Sequence, residues 1–260
     1  MRTVISVASA LACAFSLDAQ IATTLNHLPD GSDEVRIRNN SATSLVASVV
    51  AGKRVIPGPA SPGDSLRGVD RAADAAANSA PFVEYSDPLI EPAKKPLPAG
   101  EERAIMTIHL VTKVAGRLQA WRLEEPIVSA GIFADGSATG DAALLTRLML
   151  RRSNTLLAVE TALEALSYAG RQSLSRYELI VQFKKMTDSL HRWYLPQEQQ
   201  IGLRVYQPIL GELMNMPRRQ DGSPDPLAAY IAEETAMLRR QRVTLSESQP
   251  NLIDAASLGR

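Results

Sequence analysis

The apolar residues of this chain change their spacing near Asp141. Before that residue they tend to alternate with polar residues, as in a strand with one solvent-facing side. After it they recur every three or four residues, as on one side of a helix. We therefore predict an α+β protein with a β-rich half over residues 20–140 and a helical domain over residues 141–245.

The N-terminal half contains several short stretches with the alternation of strands. Turn and proline signals separate them, which predicts an immunoglobulin-like antiparallel β-sandwich. The predicted strands are Glu34–Arg38, Leu45–Val50, Ala104–Val111, Leu118–Leu123 and Ile127–Phe133. Residues 54–80 are rich in proline and glycine and are expected to form a long insertion. The prolines within Phe82–Pro98 confine that stretch to a sheet edge or to loops.

Helix-start and helix-end signals divide the C-terminal half into four helices. Asp141 is a candidate N-cap, and Gly170 is expected to end the first helix. Ser175 and Glu178 have the spacing of a capping box. Asp225 precedes Pro226, the order expected of an N-cap and the first helical residue. Short connections predict a mostly antiparallel bundle or helical array, followed by a flexible tail over residues 246–260.

Arg152 interrupts the apolar side of the first predicted helix. The polar residues Ser153, Asn154 and Thr155 follow it. We therefore expect a bend in the helix at this point.

The first residues have the features of a secretory signal peptide. Arg2 precedes the uncharged, mostly apolar run Val4–Leu17, which is shorter than the roughly 20 residues that span a bilayer. We expect cleavage after Ala19, with Ala14 as the alternative. Lipidation of Cys13 and a buried N-terminal helix are further alternatives. The predicted location is secreted or periplasmic, without a permanent membrane span.

The charge and the residue types exclude several function classes. The chain has 28 basic and 28 acidic residues, so long-range attraction to nucleic acid or to an anionic membrane is not expected. It has three histidines and one cysteine, and Cys13 would leave with the signal peptide. No histidine has a second ligand at metal-site spacing, and no phosphate-binding glycine loop occurs, so we predict neither a metal nor a cofactor.

One short motif resembles that of an enzyme family. Gly63–Leu66 reads GDSL and is identical to the motif that names the GDSL esterases and lipases, and Asp188–His191 matches their later Asp-x-x-His in the correct chain order. The resemblance implies Ser65 as nucleophile, His191 as its base and Asp188 as the group that orients the imidazole. In that family a strand precedes the motif, whereas here a proline-rich loop precedes it. We therefore interpret the match as accidental and keep the esterase as the alternative function.

The overall layout resembles a group of uncharacterised secreted bacterial proteins. The stretches that carry the likeness are Val35–Ser41 and Ile132–Ser137. Members combine a signal peptide, a short β-rich half and a helical tail. The resemblance supplies an architecture and no catalytic residues.

The leading functional prediction is a non-catalytic binding or structural protein. No convincing set of nucleophile, metal ligands or cofactor contacts is found in the sequence. A sheet edge or a helix groove would then meet another protein. Trp193 is a candidate anchor for that partner, because tryptophan is common at binding hot spots. Core packing of Trp193 with its aromatic neighbours is the other interpretation.

Overall fold

The predicted division into a β half and a helical half is confirmed by a computed structural model of the protein. The structure describes residues 20–55, 81–108, 111–114, 117–120, 122–191, 197–217 and 226–247. Antiparallel sheets occupy the N-terminal half, and four helices of 13 residues or more occupy the C-terminal half. The fold class is therefore α+β. The proposed signal peptide, most of the insertion and most of the tail lie outside the described residues.

Within the described ranges, nine strands form two main sheets and a small hairpin. The first sheet has the order β1-β2-β5, the second has the order β4-β3-β8-β9, and β6 pairs with β7. All pairs within the sheets are antiparallel. The strands are β1 (Ile21–His27), β2 (Asp33–Asn39), β3 (Leu45–Val55), β4 (Pro81–Ser86), β5 (Glu102–Ile108), β6 (Val111–Val114), β7 (Arg117–Ala120), β8 (Arg122–Phe133) and β9 (Ala138–Gly140).

The second sheet is covered by apolar side chains on both faces. A bulge makes this possible, because Val49 pairs with Ala130 while Val50 pairs with Val128, which leaves Ser129 as an extra residue in β8. Val50 and Val128 pack into the core shared with the first sheet. Val49 and Ala130 belong to a separate core on the opposite face, formed with the first helix.

In the part of the chain that the structure describes, five helices follow the strands. The first helix, α1, begins after Asp141, whose Oδ1 accepts hydrogen bonds from the backbone of Ala143 at 2.8 Å and Leu144 at 2.9 Å. The predicted capping box of Ser175 and Glu178 opens the second helix. The helices are α1 (Ala142–Gln172), α2 (Arg176–Leu190), α3 (Gln197–Gln200), α4 (Leu203–Asn215) and α5 (Pro226–Glu247).

The long helix α1 connects the two halves. Leu145, Leu148 and Met149, near its beginning, pack on the second sheet. The residues from Ala158 to Ala169 instead pack in a core formed with the later helices. One helix therefore contributes to the core of the sheet and to the core of the helical half.

Several predicted boundaries are wrong. Gly170 does not end α1, because the helix continues to Gln172 and Ser173 takes the left-handed conformation, with φ of 50° and its N–H donated to the carbonyl of Ala169. The predicted strands Leu118–Leu123 and Ile127–Phe133 do not match the observed division, in which β8 runs from Arg122 to Phe133. Strand β1 was missed, since its sequence is polar and resembles a linker.

Two glycines give a matched test of the packing. A Cβ atom on Gly52 of β3 would lie 2.8 Å from Leu123 Cδ1 and 3.1 Å from the Glu124 carbonyl oxygen. We expect Gly52→Ala to lower the free energy of unfolding by about 1–3 kcal/mol through overpacking. Gly211 of α4 has no neighbour within 4 Å of its Cβ position, so Gly211→Ala should raise stability by about 0.5–1 kcal/mol. Urea titrations of both variants check this, and destabilisation by both substitutions would contradict it.

Candidate functional site

The chain between β4 and β5 passes from the second sheet to the first and carries the buried Asp87 and the partly buried Glu91. We call Asp87–Leu97 the connecting segment. Its end is fixed on β3, because Leu45 and Leu97 exchange two backbone hydrogen bonds of 2.9 Å. The Asn39 side-chain amide also donates to the Leu97 carbonyl at 3.0 Å. The connecting segment therefore has a defined position beside both sheets.

A buried ion pair attaches the beginning of the connecting segment to α1. Arg152 Nε donates to Asp87 Oδ2 at 2.6 Å, and Arg152 Nη2 donates to Asp87 Oδ1 at 3.3 Å. The two side chains are 1% and 2% exposed. Asp87 Oδ1 also accepts the backbone N–H of Leu89 at 3.0 Å. The two-point contact fixes the direction as well as the distance between the segment and the helix.

A second carboxylate of the segment lies among three cations. Glu91 is 3.0 Å from Lys94 Nζ, 3.4 Å from Arg204 Nη1 of α4 and 3.9 Å from Arg151 Nη2 of α1. The Arg151 guanidinium also lies 4.5 Å from the centre of the Tyr85 ring. Burial lowers the pKa of Arg151, and the negative charge of Glu91 opposes that shift. The segment, α1 and α4 are thus held by one charge network.

The opposite side of the connecting segment borders a groove of about 490 Å³, which we call the sheet groove. Side chains of β2, β3 and β5 contribute to it. Its lining includes the apolar residues Ile37, Leu45, Ala47, Leu97 and Ile105. It also includes Lys94, Lys95 and Arg103, and none of the described residues that line it is a carboxylate or a histidine. Such a lining can hold an apolar group next to a negative one.

Two of the three cations in the sheet groove are held in place. Lys94 Nζ lies 3.0 Å from the Tyr85 carbonyl oxygen and 3.3 Å from Glu84 Oε1. Arg103 Nη1 donates to the Lys95 carbonyl at 2.9 Å. The Lys95 side chain is exposed. The groove also contains Ser48 and Ser86 but no base to activate either hydroxyl.

The residues of the esterase alternative are only partly covered by the described ranges. Ser65 and Trp193 lie outside the described residues, as does His109. Asp188 is an exposed residue of α2, and His191 is the exposed C-cap of the same helix. Within the described part of the chain, no group of three or more metal-ligating side chains is found.

His27 has a partner that the sequence did not indicate. Its Nδ1 lies 2.5 Å from Oδ1 of the buried Asp33. The other oxygen of Asp33 accepts the backbone N–H of Leu123 at 3.0 Å. The pair joins the end of β1 to the start of β2 and to β8. We interpret it as a structural contact.

The residues of the charge network were missed by the sequence analysis. Arg152 was noticed only as an interruption of an apolar helix side, and Asp87 was one acidic residue in a proline-rich stretch. The helix α1 continues through Arg152, and the buried carboxylate of Asp87 neutralises the charge of that side chain. Arg152 lies on the apolar side of the helix, and a charged residue at such a position indicates a buried partner of opposite charge.

A half-buried acidic group lies on the other side of the helical half. Burial raises the pKa of Glu234 in α5, and the neighbouring charges of Glu233 and Glu212 raise it further. Burial also raises the pKa of Tyr230, whose hydroxyl has no hydrogen-bond partner among the described residues. These groups show no arrangement that would bind a metal.

Comparisons with known proteins add no family to this description. No protein-family model, curated protein or solved structure matches the chain. None of the helices in the described ranges is long and apolar enough to cross a membrane.

The buried ion pair can be tested against an exposed one. Asp87→Ala removes the carboxylate that faces the buried Arg152 guanidinium, and we expect a loss of about 3–5 kcal/mol in the free energy of unfolding. Lys53→Ala breaks the exposed contact between Lys53 and Glu125, and we expect no measurable change. Denaturant titrations compare the two variants. Equal effects would contradict the assigned importance of the buried pair.

The raised pKa of Glu234 predicts a pH-dependent effect. A carboxyl group whose pKa is higher in the folded protein than in the unfolded chain stabilises the fold at low pH, and this contribution is lost as the pH rises above about 4.5. We expect Glu234→Gln to raise Tm at neutral pH and to leave it unchanged well below pH 4.5. The exposed Glu160→Gln variant is the control. A gain that is the same at both pH values would contradict the prediction.

Proposed function

We propose that this protein is a secreted or periplasmic, non-catalytic binding protein whose partner is another protein. The sheet groove is the observation that carries the proposal. It combines an apolar lining with Lys94, Lys95 and Arg103, and the part of the lining that the structure describes contains neither a carboxylate nor a histidine. Such a site can bind but has no activated nucleophile. The extracytoplasmic location rests on the signal-peptide pattern before residue 20.

The strand order supports an immunoglobulin-like sandwich as part of this proposal. In such a fold, strands A, B and E form one sheet and strands C, F and G form the other. Here β1-β2-β5 takes the place of A-B-E, and β3-β8-β9 takes the place of C-F-G, with β4 added beside β3. Because this architecture has many functions, it supports a binding scaffold without selecting the ligand. The ligand is selected by the side chains that line the groove.

The sheet groove is suited to an extended segment of a partner. Among the described strands, β5 pairs only with β2, so its other edge is available to a further strand. Arg103, Ala104 and Ile105 of β5 line the groove next to that edge. A bound segment would place an apolar side chain against Leu45 and Leu97 and a carboxylate near Lys95. We therefore propose a partner segment that combines bulky apolar and acidic residues.

Selection of random peptides on the purified protein tests this proposal. We expect the selected peptides to contain a bulky apolar residue next to Asp or Glu. Ala104→Trp, which fills the groove, should weaken their binding by about tenfold or more, equivalent to about 1.4 kcal/mol. Lys95→Glu should weaken it as well through charge repulsion. The exposed Lys53→Glu is the matched control and should have no effect.

Two results would contradict the proposal. One is that the selected peptides bind the Ala104→Trp variant as well as the unmodified protein. The other is covalent labelling by a fluorophosphonate probe that is lost in Ser65→Ala. That second result would favour the serine esterase alternative, with Ser65, Asp188 and His191 as its residues.

A further inference from the structure

A second groove lies in the helical half, between α1 and α5. Its volume is about 500 Å³, and it is shallow and open to solvent. Small residues occupy both walls, with Ser167 and Gly170 on α1 and Ala228 and Ala232 on α5. Small side chains allow another backbone to approach closely. We call this feature the helix groove.

A buried hydroxyl without a partner lines the helix groove. Thr235 is 9% exposed, and its Oγ1 has no hydrogen-bond partner among the described residues. The hydroxyls of Thr155 and Thr161 on α1 behave differently, since each donates at 2.8 Å to the carbonyl four residues earlier. A buried polar atom that forms no hydrogen bond is costly. Because this oxygen is itself buried, Thr235 belongs to the floor of the groove and does not present its hydroxyl to solvent.

Two cations line the same groove at separate positions. Arg171 follows Gly170 on α1, and a Cβ atom on Gly170 would lie 3.8 Å from Ile231 Cγ2 of α5. Arg239 is eight residues beyond Ile231 in α5, which corresponds to about 12 Å along the helix. Both arginine residues are exposed, and no carboxylate is found among the described residues that line the groove. The separation equals about two helical turns.

We propose that the helix groove docks an acidic amphipathic helix of a partner protein. Two carboxylates seven or eight residues apart on that helix would face Arg171 and Arg239. Small or apolar side chains between them would lie over the exposed Ala228 and Ala232. An alkyl carboxylate would engage only one of the two arginines. The site is separate from the sheet groove, so a negative result for one proposal does not contradict the other.

A designed peptide can serve as the probe. It is a helix of about 16 residues, roughly 24 Å long, with two Glu residues two turns apart on the side that carries Leu and Ala. A second peptide with Gln in place of Glu measures the charge contribution. Binding of both to the full-length protein is measured by fluorescence anisotropy at physiological ionic strength. Decanoate is tested as a competing apolar acid.

The variants use exposed positions, so that the fold is retained. Ala232→Trp fills the helix groove, and we expect it to weaken binding of the Glu peptide by about tenfold or more. Ala229→Trp places the same bulk on the same helix outside the groove lining and should have no effect. Arg171→Glu and Arg239→Glu should each weaken binding through charge repulsion. Circular dichroism of each variant confirms folding.

The proposal is overturned if the Glu peptide does not bind, or if it binds Ala232→Trp and the unmodified protein equally. It is also overturned if the Gln peptide binds as tightly as the Glu peptide. Binding of decanoate alone, with sensitivity to Ala232→Trp, would assign the groove to a small amphipathic acid instead of a helix.

Discussion

The relative placement of the two halves depends on the buried contact between Asp87 and Arg152. Hydrophobic packing of α1 on the second sheet is not directional, so it permits sliding and rotation. Two hydrogen bonds between a carboxylate and a guanidinium have a preferred plane and direction. Displacement of the helix would separate charges that have been removed from water, which is strongly unfavourable. The ion pair therefore selects one arrangement among several that the apolar contacts would allow.

Charged contacts hold the connecting segment against the helices, and the same segment forms part of the wall of the sheet groove. Asp87 and Glu91 face the helical half, where they contact Arg152, Arg151 and Arg204. Lys94 belongs to the same network through its contact with Glu91, and it also lines the sheet groove. The position of the groove wall is thus set by residues that pack on the helices. A change at the ion pair would reach the groove through about seven residues of one chain segment, without a separate signalling element.

Local signals in the sequence were sufficient for some elements and insufficient for others. Asp141 and the Ser175 capping box act within four residues, so the sequence alone predicts where those helices begin. Strand β1 depends on pairing with β2, and the contact of Asp87 with Arg152 joins residues 65 positions apart. The end of α1 was misplaced because Ser173, and not a glycine, takes the left-handed conformation. The hydrophobic pattern of the sequence did not predict interactions between residues that are brought together only by the tertiary fold. Both grooves are formed by such residues.

The absence of net charge gave an incomplete picture of the surfaces of this protein. Equal numbers of acidic and basic residues argue against long-range attraction to a polyanion. Among the described residues, the lining of the sheet groove and that of the helix groove nevertheless contain arginine or lysine and no carboxylate. Exposed charges act over roughly 8 Å at physiological ionic strength. The charges that line a groove therefore affect a molecule in contact with it more than the net charge of the chain does. A chain without net charge can therefore carry local cationic positions, such as Lys95, Arg171 and Arg239, that the total charge does not indicate.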